Sequence, residues 1–105
     1  MTDPIAALHA RYRASFPEKR AELQAALIAW RDQPAAAERI LEIHQFTHKL
    51  AGSAGAYGFD ALTELARTAD RLLQPHARGG KALAGEHVAP IDAAVSAVCD
   101  ALASA

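Results

Sequence analysis

Histidines are the residues of this chain best equipped for chemistry. There are five, and two of them, His44 and His48, stand one helical turn apart. They fall within residues 43–59, a segment that keeps a helical hydrophobic rhythm yet carries Gly52, Gly55 and Gly58. A glycine inside a helix costs about 1 kcal/mol relative to alanine. Gly52 and Gly55 therefore imply something that must come close to the backbone. His48 lies one turn before Gly52, so the two project from the same side of a helix. The pattern is an imidazole beside a bare strip of helix.

Three chemistries compete for that pattern. His-x-x-x-His on a helix can supply two ligands to a metal or a haem, which makes His44 and His48 the alternative metal pair. A bundle site would also need carboxylates or further histidines from facing helices. The inward stripes of the other helices offer leucine, isoleucine, valine and alanine, so no metal is expected. Hydrolytic catalysis fails on local geometry, because Ser53 projects about 140° round the helix from His48. The third chemistry is phosphoryl transfer. Imidazole, with an ordinary pKa near about 6.5, is a competent neutral nucleophile around neutral pH. Phosphoryl transfer mainly needs in-line positioning and charge neutralisation, which a partner bearing an aspartate and Mg²⁺ can bring. His9, His76 and His87 read as solvated, and the single Cys99 as a buried thiol.

The elements that must position His48 follow from the hydrophobic spacing. Asp3-Pro4 opens a short helix carrying Ile5, Leu8 and Tyr12, and Phe16-Pro17 breaks it. Leu23, Ala26, Leu27 and Trp30 stripe a second helix that Asp32-Gln33-Pro34 ends. A third helix, from about Ala35, turns Ile40, Ile43, Phe46 or Thr47, Leu50 and Ala54 inward. It turns Leu41, His44, His48, Gly52 and Gly55 outward. Phe59-Asp60 opens a fourth, with Phe59, Leu62, Leu65, Ala66, Ala69, Leu72 and Leu73 as its stripe. Residues 74–86 hold Pro75 and three glycines and read as one long loop. Val88, Ile91, Val95, Val98 and Leu102 then mark the last helix. The expectation is an all-α protein, an antiparallel four-helix bundle with a short extra N-terminal helix, forming a single domain over residues 1–105.

Composition excludes other classes. A formal net charge of −1 leaves no footprint for nucleic acid, and no stretch approaches the roughly 20 apolar residues of a membrane span. No uninterrupted apolar segment suggests a secretory leader. A cytoplasmic protein is expected.

His48-Lys49-Leu50-Ala51-Gly52-Ser53-Ala54-Gly55, followed by Tyr57-Gly58-Phe59, resembles the signature of histidine-containing phosphotransfer (HPt) domains. That signature sets leucine two residues, glycine four residues and another glycine ten residues after the histidine; here these are His48, Leu50, Gly52 and Gly58. The resemblance covers residues 5–103 and implies a four-helix bundle whose His48 is phosphorylated on Nε2. It implies a phosphorelay intermediate that accepts a phosphoryl group from a receiver-domain aspartate and passes it to another receiver. The protein would be a phosphocarrier without self-contained catalysis or a cofactor, the Mg²⁺ belonging to the receiver. Where the family commonly places a lysine this chain has Ala51, and Lys49 is the local candidate to neighbour the phosphate. Leu41, His44, Gln45, Ala51, Gly52 and Gly55 are the expected docking face. The expected partners are response-regulator receiver domains and a hybrid or sensor histidine kinase, with the protein free-standing and monomeric. A module that docks receivers without phosphotransfer is a further alternative.

Overall fold

A computed structural model describes residues 3–78 and 80–104. Its helices are α1 (Pro4–Ala14), α2 (Phe16–Asp32), α3 (Ala37–Ala56), α4 (Asp60–Ala77) and α5 (Gly85–Ser104), and the described residues contain no strand. Helices α2 to α5 make the expected bundle. Its core includes Leu23, Trp30, Ile43, Leu73, Val95 and Val98. No described helix is long and apolar enough to cross a membrane.

Asp3 caps α1 by accepting a hydrogen bond from the Ile5 N–H at 3.0 Å, and Pro4 sits where a missing N–H costs nothing. Only Ser15 separates α1 from α2, and it keeps right-handed helical geometry. The break comes from Pro17, which cannot donate to the preceding turn. The end of α1 covers the α3–α4 junction. Tyr12 stacks on Tyr57 at 4.5 Å and His9 on Phe59 at 4.1 Å. Ile5 and Leu8, which recur at helical spacing with Tyr12, are exposed.

Helix α3 ends in a Schellman motif. The Phe59 N–H bonds to the Ala54 carbonyl at 2.9 Å and the Gly58 N–H to the Gly55 carbonyl at 3.2 Å. Gly58 has φ +83°, a conformation that favours glycine. The signature glycine therefore turns the chain from α3 into α4.

The expected long loop over residues 74–86 is shorter than the sequence suggests. Helix α4 continues to Ala77 and α5 already begins at Gly85. Pro75 is exposed in the last turn of α4, and the next turn still closes through the Arg78 N–H on the Gln74 carbonyl at 2.9 Å. His76 consequently belongs to α4 rather than to a loop, where its ring lies 4.7 Å from that of His87. Leu72, expected in the α4 stripe, is exposed.

Candidate functional site

Helix α3 packs against α2 on one flank and α4 on the other, so its buried stripe is wider than a single-neighbour reading allows. Ile40, Ile43, Thr47, Leu50 and Ala54 face inward as expected, but His44 and Ala51 are buried too, at 2% and 8% exposure. Both residues lie on the α4 side of the stripe. They offer no docking surface, which corrects the expectation for each. Leu41, Gln45, His48, Gly52 and Gly55 form the strip that does face outward.

Position 52 is open: a Cβ built on Gly52 would meet nothing within 4 Å. Close packing does not require glycine there. Gly55 differs, since a Cβ would lie 3.6 Å from the Thr63 side chain on α4. The bare patch beside His48 is thus Gly52 above all.

The imidazole of His48 is 61% exposed, and its Nδ1 lies 3.3 Å from Asp70 Oδ2 on α4. A carboxylate only accepts, so Nδ1 carries the proton and the lone pair resides on Nε2. The other oxygen of Asp70 lies 2.9 Å from His44 Nε2. That contact is short but off the line of a hydrogen bond, and Oδ1 is buried with no donor aimed at it. Burial pushes the His44 pKa below its ordinary value, and nearby Arg78 and His48 push the same way against the attraction of Asp70. His44 is therefore a neutral ring beneath the site.

Asp70 was not legible in the sequence. It sits 22 residues from His48, on a helix whose apolar stripe gave no reason to single it out. The one available signal was a carboxylate one position from Ala69, at the edge of that stripe. Its presence overturns the view that facing helices bring only apolar groups. His44, His48 and Asp70 could each offer one metal ligand, with ligand atoms within 4.8 Å of one another.

Lys49 projects toward α2, lining a groove with Tyr12, Lys19 and Glu22, and Gln45 lies on the same flank beside Glu22 and Phe46. On the α4 flank, a second hollow is bounded by Ala51, Gly52 and Gly55 of α3 and by Asp60, Glu64 and Arg67 of α4.

The site thus presents an exposed imidazole whose Nδ1 faces a carboxylate and whose Nε2 opens beside uncovered helix. The model of the Hpt domain family matches residues 7–105. The chain belongs to that family. The Hpt fold is visible in the structural match to the CheA phosphotransferase domain from Thermotoga maritima, with a TM-score of 0.74 at 19% identity, covering 98% of this chain and 97% of that one. Comparison with curated proteins found no match. Family membership gives this Hpt domain a role in histidine phosphotransfer within two-component signalling.

Proposed function

We propose that the domain is a phosphorelay intermediate in which His48 takes a phosphoryl group from a phospho-aspartate of one receiver domain and yields it to another. The observation that carries this reading is the exposed His48 ring, with Nδ1 on Asp70 and Nε2 unengaged. The Nε2 lone pair attacks phosphorus as the P–O bond to the donor carboxylate breaks, and that carboxylate leaves with the bonding pair. Positive charge develops on the imidazole in this step. Asp70, accepting from Nδ1–H, neutralises it and holds the ring's orientation. The receiver contributes Mg²⁺ and the remaining charge neutralisation, and a hybrid or sensor histidine kinase supplies the phosphate upstream. The domain acts as a cytoplasmic monomer, a phosphocarrier that turns over no substrate of its own.

Incubation with a phosphorylated receiver should label the domain with an acid-labile, base-stable phosphate. His48→Gln should remove the label, and equal labelling of that variant would overturn the proposal. Asp70 supports a second reading, a divalent metal held by His44, His48 and Asp70. Stoichiometric Zn²⁺ binding lost on His44→Ala, in a chain that receivers leave unlabelled, would favour it.

A further inference from the structure

We infer that Arg67 on α4 supplies the cation that holds the phosphoryl group on His48, the place left empty by Ala51. This inference rests on the phosphocarrier reading and names a further residue of its site. The transferred group carries about two negative charges near neutral pH. Its neighbours on α3 are Ala51, which is neutral and buried, and Gly52, which is bare.

The cations around the site separate by direction. Lys49 is committed to the α2 flank, where it shares a groove with Lys19 and Glu22. Arg71 and Arg78 line a hollow with Gln74 and Pro75, beyond Asp70 along α4. Arg67 alone of these four borders the hollow formed by Ala51, Gly52 and Gly55.

The helix register places it there. Asp70 meets His48, and Thr63 lies beside Gly55. The antiparallel pairing thus sets Arg67 level with residues 51 and 52, one turn from the nucleophile. Three residues of helix, about 4.5 Å of rise, separate Arg67 from Asp70. The carboxylate that orients the imidazole and the guanidinium that meets the phosphate therefore lie on one rigid element.

Arg67 is also free to move. Its side chain is 59% exposed and touches Glu64 at 3.4 Å, and an exposed pair of this kind holds a side chain only weakly. The planar fork matches phosphate oxygens with two parallel N–H donors. No proton is exchanged: the P–N bond forms at Nε2, the donor's bond to phosphorus breaks, and Arg67 only donates hydrogen bonds. Gly52 keeps the floor of the hollow low enough for the fork to reach across.

The test measures the rate of His48 phosphorylation by phosphoramidate, which loses ammonia as its P–N bond breaks, and by a phosphorylated receiver. Arg67→Ala should slow both by about tenfold, the scale of a lost charge-assisted hydrogen bond. Arg67→Lys should restore part of the rate. Adding Ala51→Lys to Arg67→Ala should restore it as well, because the charge returns from the other side of the same hollow. A purely structural role for Arg67 would not be rescued from another helix. Unchanged rates in Arg67→Ala, or a loss seen only in Lys49→Ala, would overturn the inference while leaving the phosphocarrier reading intact. A wild-type chain that neither donor labels at His48 would remove both.

Discussion

In the proposed transfer, the two nitrogens of His48 divide the labour. Asp70 occupies Nδ1 at 3.3 Å, so the tautomer that leaves Nε2 as the nucleophile is the one the site favours. His44 sits behind the pair as a neutral buried ring. It packs the underside of the site, and its 5.8 Å centroid distance from His48 leaves the two rings close neighbours. Gly52 gives a residue-scale prediction because its Cβ position is open. Gly52→Gln should keep the fold and stabilise α3 by up to about 1 kcal/mol, since glycine is the poorer helix former. It should nonetheless slow transfer from a receiver by about tenfold or more, because a bulky side chain would hold the phosphorus away from in-line approach. Denaturant melts and transfer kinetics on one preparation separate the effects, and transfer at the wild-type rate would remove the clearance argument.

At the scale of elements, the site is a property of the α3–α4 pair. Helix α3 contributes His48 and the bare patch, while α4 contributes Asp70 and Arg67. The relative height of the two helices is fixed where they join. The Schellman bonds of Ala54 and Gly55 with Phe59 and Gly58 set that join, and Tyr12 of α1 covers it by packing on the rings of Tyr57 and Phe59. Gly58→Ala forces a Cβ into a left-handed conformation at φ +83°. It should cost about 1–2 kcal/mol of stability, read as a lower denaturant midpoint with unchanged slope. An unchanged midpoint would mean that the junction relaxes to another turn. The width of the buried stripe on α3 also belongs to this scale. The packing of α4 against that flank buries His44 and Ala51.

Across the whole molecule, the face opposite the α3–α4 seam is closed by a clasp between α2 and α5. Arg31 donates through Nε to Asp92 Oδ2 at 2.7 Å and through Nη2 to Oδ1 at 2.8 Å. The Arg31 hydrogen bond holds the Asp92 carboxyl below its ordinary value, with Ser96 helping, against the smaller effect of burial. A carboxyl with a depressed folded-state pKa binds fewer protons folded than unfolded, so its stabilisation is complete above the unfolded value of 3.8. It is lost as pH falls from there through the depressed folded value. Asp92→Asn should therefore lower the thermal midpoint at neutral pH, and the gap from wild type should close on acidification below pH 4. A gap that persists unchanged in strong acid would assign the loss to packing instead of charge.

Much of this molecule follows from local rules. Pro4, Pro17, Gly58 and the apolar repeats of α2, α4 and α5 act within a few residues of chain, and so the helices and their order were legible. The offsets among His48, Leu50, Gly52 and Gly58 were legible for the same reason, because one helix and its terminus contain them all. Tertiary structure decided what depends on a second helix arriving. Asp70 and Arg67 become neighbours of His48 only through the register of α3 against α4, and no spacing within either helix encodes that register. Burial of His44 and Ala51 likewise depends on where α4 packs against α3. Lys49, adjacent in sequence, points to the other flank because each residue turns about 100° from the last. The exposed histidine and its glycine were written in one segment of the sequence, while the groups that surround them were assembled across two.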